Sequence, residues 1–460
     1  MRSPLLVALT ALALRLWLIF QFPIVFGGDS MLRLVHRDEV LLSYQLPLLQ
    51  CFIWLLSRFT SGALPVRLMM AVIGALGAVA FYYLAADLAG PRAAFLGALL
   101  FATNPYITPV STVPYQEILL LGTLFAAFHF FFQRRWFLSA VFLAMACLTR
   151  FEAWVACPVL AAAWFLDGPR TERRAAAAAA LFGLVPVLWI LARQGLSPQG
   201  SFVLDRSITL ARFGRYSYLA MHTAAEATIP ALVLACAGIA RLRDRRLVIL
   251  SVFLALFLLA ILFSAHGELP DPERVVTTRE IHIPLACVLL LAALGCASYP
   301  RVAPWLVAAG AVLGIWGSYS FVRHETSRPE MRLGYELARY LDTHVAPGEQ
   351  VLICATPPNV DLYYRKAFES GGAAGLAAAQ RAVEAIEVLP TDAQRTIVHL
   401  NRVSRAQIFV YPKLPARADW VAVWSDFGPA PGPMATFRVD DRSVSVLRGP
   451  AGVPPHDHFR

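Results

Sequence analysis

Long apolar runs separated by short polar breaks fill the first 320 or so residues of the chain. The first run, Leu5 to Phe26, is 22 residues long and stops at Gly27-Gly28-Asp29, which is enough helix to cross the hydrocarbon core of a bilayer. Further apolar segments lie near 66–89, 91–107, 116–133, 136–151, 152–166, 175–192, 226–241, 247–264, 283–298 and 304–321. The pattern predicts a polytopic α-helical membrane domain over 1–321, with about eleven transmembrane helices. No small-residue cleavage site follows the first run and more spans come after it, so it is expected to stay as a helix. Pro47–Phe59 is apolar but short; it suits a helix lying at the interface, within an outer loop over 27–65.

From Val322 the pattern changes. Met331, Leu333, Leu337, Tyr340 and Leu341 recur at helical spacing, and Pro347-Gly348 ends that helix. Val351–Cys354, Ile408–Tyr411, Trp420–Trp424, Thr436–Val439 and Val444–Leu447 read as strands, with Asp440-Asp441 as a turn. A C-terminal α/β soluble domain over 322–460 is expected. It carries no Gly-rich phosphate-binding motif and is given no nucleotide.

Composition agrees with a membrane chain: 58% of residues are hydrophobic and only 15% charged, where a soluble domain carries about 25%. The net charge of +10 divides as +9 over 1–321 (24 Lys+Arg, 15 Asp+Glu) and +1 over 322–460 (16 and 15). The excess therefore belongs to membrane-side loops, and a nucleic-acid partner is not needed. Short basic connectors at Arg92, Arg134-Arg135, Arg173-Arg174, Arg245-Arg246 and Arg301 mark one side as cytoplasmic. With an odd number of spans, the tail then lies outside the cell membrane. Six of the seven cysteines sit in apolar runs as small hydrophobes, and no Cys/His spacing suggests a metal centre. No cofactor is required, and dependence on a divalent metal stays open.

Ionisable residues near the membrane are the places to look for chemistry. They gather on the expected outer face. Asp29 follows the first span, and Arg33, Arg37, Asp38 and Glu39 follow it. On a helix, Asp29, Arg33 and Arg37 share one face, a carboxylate beside two guanidiniums, as suits binding an anionic phosphate and deprotonating a nucleophile. The same residues also suit a salt-bridged interfacial helix. Glu117 opens the fourth span, as a site residue or as an acid stabilising a helix N-terminus. Arg150 and Glu152 stand between two apolar runs, as site residues with Arg150 a candidate ligand of the donor phosphate, or as an internal salt bridge. The most polar loop carries His266, Glu268 and Arg279, the last placed to reach a lipid phosphate or to snorkel at the interface. Arg15, mid-span, either pairs with a neighbouring acid or snorkels. His129, in an aromatic run, reads as a satisfied core or interface histidine. No paired, broken half-membrane repeats of a secondary transporter are visible.

Asp29 after the first span with Tyr44–Leu48, then Leu99–Pro105, Glu117, Leu148-Thr149-Arg150, and Arg279 with Pro284 match in order and spacing a known family. Over 1–321 the chain resembles the GT-C membrane glycosyltransferases, a group that includes the protein O-mannosyltransferases and the lipid A aminoarabinose transferases. The resemblance implies a sugar carried on a polyprenyl phosphate, a hexosyl- or pentosyl-type inverting transfer, and a lipid, glycan or protein acceptor. It places the enzyme in a bacterial inner membrane, acting in the cell envelope. It carries the catalytic role onto Asp29 and the grip on the donor phosphate onto Arg279. Many relatives have an acidic pair where this chain has Asp29-Ser30, and a Thr-Lys-Gly where it has Thr149-Arg150-Phe151; Asp38-Glu39 is the nearer acidic pair. A transporter, or a surface-glycan ligase or polymerase, is the alternative.

Overall fold

The computed structural model describes residues 2–26, 30, 33–34, 37, 40–41, 46–60, 63–167, 171–196, 210–240, 244–263, 281–344, 350–354, 407–410, 420–424, 433–440 and 442–448. Helices follow the apolar runs. They are α1 (Arg2–Gln21), α2 (Leu48–Ser57), α3 (Ala63–Ala89), α4 (Pro91–Ala102), the single turn α5 (Ile107–Val110), α6 (Glu117–Phe132) and α7 (Trp136–Cys147). A 3-10 turn (Phe151–Val155) then leads into α8 (Ala156–Leu166), followed by α9 (Glu172–Leu196), α10 (Leu210–Ala227), α11 (Ile229–Ile239), α12 (Arg245–Phe263), α13 (His282–Ser298) and α14 (Ala303–Ser327).

Among the described residues, three helical stretches can cross a membrane by length and composition, Ser3–Gln21, Ala63–Ala89 and Ala303–Ser327, or four if one bent pair counts as a single span. The chain is a membrane protein. A helix in each apolar segment is thus a weaker statement than eleven crossings. Two boundaries differ from the sequence reading. The helix expected over 91–107 stops at Ala102, because Pro105 and Pro109 cannot continue it. Ahead of the segment at 226–241 stands α10, whose mixed composition gave no span signal; the chain turns by 109° between it and α11.

The chain divides into two compact units. The first comprises Met1–Gln21, Asp38–Leu55 and Arg67–Val322. Small residues bring its helices together, as expected where lipid supplies no hydrophobic drive between helices. A Cβ on Gly238 of α11 would lie 2.0 Å from the Leu291 carbonyl oxygen, and one on Gly295 of α13 would lie 1.9 Å from that of Leu234. Gly97 of α4 meets Ala293 of α13 in the same way, and Gly77 of α3 faces Gly122 of α6. Gly314 and Gly317 of α14 lie against Thr103 and Pro105.

One end of this unit carries the basic connectors. There Asp87 accepts from Gln133 (2.6 Å) and pairs with His129 Nδ1 (2.6 Å), and Asp167 pairs with Arg245 (3.0 Å). His129 is therefore a partnered interface histidine.

The second unit comprises Phe22–Arg37, Leu56–Val66 and Arg323–Arg460. Its α15 (Pro329–His344) buries Leu333, Leu337 and Leu341 on one face. Strands β1 (Gln350–Cys354), β2 (Gln407–Val410), β3 (Trp420–Trp424), β4 (Ala435–Val439) and β5 (Arg442–Arg448) form a mixed sheet in the order β2-β1-β3-β5-β4. β1 runs parallel to β2 and β3; β5 runs antiparallel to β3 and β4. The β4–β5 hairpin turns at Asp440, whose φ of 53° an aspartate tolerates. Helix α15 packs on β4 and β5, with the Tyr340 ring 5.6 Å from Phe437.

Candidate functional site

Helices α6 and α7 form a hairpin closed by the short turn at Gln133–Arg135, so the end of α7 returns to the start of α6. Glu117, the first residue of α6, therefore meets Arg150, just beyond α7. Arg150 Nη1 donates to Glu117 Oε1 at 2.6 Å. The same guanidinium turns back on Glu152, with Nε 2.9 Å and Nη2 2.5 Å from Oε1. Local bonds set the turn: Thr149 Oγ1 donates to the Met145 carbonyl, Leu48 N to that of Leu148, and Trp154 Nε1 to that of Cys147. Glu117 is only 4% exposed, yet its Oε2 has no hydrogen-bond partner among the described residues. A buried carboxylate oxygen left open in this way is costly in a finished core, and natural at a site that a ligand completes. His282 is fully buried at the start of α13.

The wall beside this cluster is the stretch from Thr103 to Tyr115, buried throughout although only α5 is helical. Irregular backbone of this kind survives inside a membrane protein only if its polar groups are satisfied from within. Asn104 Oδ1 accepts from Tyr106 N and Ile107 N (3.0 Å each), and its Nδ2 donates to the Glu226 carbonyl at 2.8 Å. Arg67 Nε donates to the Thr112 carbonyl at 3.0 Å. Among the described residues Arg15 pairs with no acid, and it does not snorkel. It is fully buried against Gly74, donating to Ser111 Oγ (2.6 Å) and to the carbonyls of Ala11 (2.9 Å) and Ala102 (3.3 Å). The missing side chain of Gly74 leaves room for that guanidinium. Within this wall, the Tyr106 phenol lies in the combined field of Glu117, Tyr115, Arg150 and Glu226.

The structure thus joins three of the sequence candidates, Glu117, Arg150 and Glu152. Arg33 and Arg37 belong to the other compact unit. Arg33 is helical and buried, and the Arg37 carbonyl accepts from Ser57 Oγ at 3.5 Å. Asp29, Asp38, Glu39, His266, Glu268 and Arg279 lie outside the described residues. Three residues were missed by the sequence reading: Tyr106, His282 and Glu226. The last two left one signal, since each stands at the polar edge of an apolar run. Among the described residues no three His, Cys, Asp or Glu side chains are grouped to hold a metal.

No protein-family model matches the sequence, and no curated protein sequence matches it. Among solved structures the chain is similar to ArnT from Cupriavidus metallidurans bound to undecaprenyl phosphate. The likeness covers 96% of this chain and 97% of that one, at 14% identity and a TM-score of 0.58. Fainter likeness links it to an oligosaccharyltransferase of Archaeoglobus fulgidus in complex with zinc and sulfate (12% identity, 92% and 67% coverage, TM-score 0.48). The Archaeoglobus fulgidus oligosaccharyltransferase AglB with an inhibitory peptide and a dolichol-phosphate scores 0.46 (12% identity, 92% and 69% coverage). Neither of these two is close enough to bear weight. At 14% identity the first speaks for architecture, and it does so over nearly the whole length of both chains: this chain has a GT-C-like fold.

Proposed function

We propose that the protein is an integral-membrane glycosyltransferase that moves a hexosyl- or pentosyl-type sugar from a polyprenyl phosphate to a lipid, glycan or protein acceptor at the extracytoplasmic face of a bacterial inner membrane. Fold alone does not fix chemistry. The observation that carries the proposal is the buried Glu117–Arg150–Glu152 cluster with its open carboxylate oxygen, in a fold whose solved counterpart holds undecaprenyl phosphate.

In the reaction, an acceptor hydroxyl or amine attacks the anomeric carbon, and the bond from that carbon to the phosphate oxygen breaks. The polyprenyl phosphate departs and the acceptor proton passes to a carboxylate. Transfer needs that carboxylate within hydrogen-bond reach of the acceptor, and cations against the departing phosphate. Asp29 is the proposed proton acceptor, with Asp38 and Glu39 the nearby acids; Arg279 is the proposed phosphate ligand, with Arg33 and Arg37 in support. Arg150 enters as the residue that holds Glu117, because two carboxylates already take up its guanidinium. A phosphate role would require its release from both. Glu117 is the proposed site carboxylate whose open oxygen meets the substrate. The 322–460 region is proposed to be an extracytoplasmic α/β domain, and the membrane part to cross about eleven times.

Comparing surface glycans and lipids by mass spectrometry, with and without the protein, tests this. A glycoform that disappears with the protein and returns with the wild-type chain, but not with Arg279→Ala, is expected. An unchanged glycan and lipid profile would remove the assignment.

A further inference from the structure

Helix α10 ends one residue short of a sharp break. Thr228 stands there at φ 64°, and the chain turns by 109° into α11. Glu226 and Thr223, three residues apart, lie on one face of α10 just before the break. The Glu226 carbonyl is pinned by Asn104, so the end of α10 is fixed to the buried 103–115 wall. Its carboxylate is different. It is only partly buried and makes no hydrogen bond or ion pair among the described residues, whereas Glu117 and Glu152 are both tied to Arg150.

Thr223 departs from the other helical threonines. Thr103, Thr123, Thr149 and Thr343 each donate the hydroxyl to the carbonyl four residues back, the usual use of a helical threonine. Thr223 is 6% exposed, and its hydroxyl has no partner among the described residues. The unpartnered carboxylate and the uncommitted hydroxyl stand on one face of α10, at the end that Asn104 ties to the 103–115 wall. The pair is rich in acceptors, and a lipid tail would leave both groups unsatisfied. A ligand that fits must bring several hydrogen-bond donors.

We infer that Glu226, with Thr223, binds the hydroxyl groups of the sugar carried by the lipid phosphate, and so sets which sugar the site accepts. This rests on the glycosyltransferase reading above and adds to it a specificity-determining residue. Each sugar hydroxyl donates to the carboxylate while the phosphate is gripped elsewhere, so the sugar end and the anionic end of the donor are held by groups of opposite character.

The test is a binding comparison with the full-length protein in lipid nanodiscs. The probes are undecaprenyl phosphate alone and undecaprenyl phosphate bearing glucose, mannose, galactose or arabinose, against wild type, Glu226→Ala, Glu226→Gln and Thr223→Val. The wild type is expected to bind at least one sugar-bearing lipid more tightly than the bare one. Glu226→Ala should lose that preference by about tenfold or more, the scale of hydrogen bonds to a charged group, while its affinity for undecaprenyl phosphate alone stays within about twofold. Glu226→Gln, of the same shape, should retain part of the preference, which a merely structural role would not produce. If the preference survives in Glu226→Ala, or the wild type shows none, the inference is overturned while lipid-phosphate binding still stands. If the wild type binds none of the five lipids, the glycosyltransferase reading falls with it. Equal melting temperatures of the variants exclude misfolding as the cause.

Discussion

Glu117 is held by one oxygen and open at the other, and the two oxygens have separable consequences. Glu117→Gln keeps the shape but weakens the bond to Arg150 and removes the open charge. It is expected to abolish detectable transfer with a modest loss of stability. Arg150→Ala should act chiefly on folding, because it leaves two largely buried carboxylates facing each other. Removing one partner of a buried ion pair typically costs about 3–5 kcal/mol, readable as a drop in the thermal midpoint of the purified protein. Arg150→Lys should recover only part of it, since an ammonium cannot reproduce the fork between two acids. These three residues were visible in the sequence because charge is rare between apolar runs. Arg15 was visible too, but not its partners. It is held by a serine hydroxyl and backbone carbonyls through Nε and Nη1, which no pattern of charges reveals. Glu226 left only its place at the polar edge of an apolar run: its importance comes from a break in the chain, and local composition does not show the break.

At the scale of elements, hydrophobic runs located the helices because a membrane helix needs an unbroken apolar stretch, and that need is written directly in composition. The runs did not show where a helix would yield to irregular backbone. Residues 103–106 and 111–115 are as buried as a helix and each contain a proline, and their polar groups are met by Asn104 from within the stretch and by Arg15 and Arg67 from distant parts of the sequence. Close helix crossings follow a different rule, which glycine substitutions can check. Gly295→Val would drive a side chain into the Leu234 carbonyl and is expected to prevent recovery of folded protein. Gly183→Ala, on α9 with open space around it, should be neutral or stabilising by up to about 1 kcal/mol through helix propensity. Thermal unfolding of both variants in the same detergent separates the two effects. Equal behaviour would contradict the backbone-contact account of the α11–α13 crossing.

For the whole molecule, the sequence divided the chain by composition, and the structure groups it by contact. The 323–460 region forms a unit with Phe22–Arg37 and Leu56–Val66, an association that an apolar pattern cannot encode. Sidedness is a proposal drawn from the basic connectors. In a background without reactive thiols, Arg134→Cys should be labelled from the cytoplasmic side and Arg438→Cys from the opposite side. Labelling of Arg438→Cys from the cytoplasm would reverse the orientation. The central claim is that a GT-C-like body with an open buried carboxylate transfers sugar from a lipid phosphate. The most direct measurement is release of unsubstituted undecaprenyl phosphate from its sugar-bearing forms by the purified protein in proteoliposomes, with the cell-envelope lipid extract as acceptor. Wild type should release it with matching appearance of a glycosylated acceptor, and Glu117→Gln, folded to the same extent, should not. Release at equal rates by both, or by neither, would contradict the account.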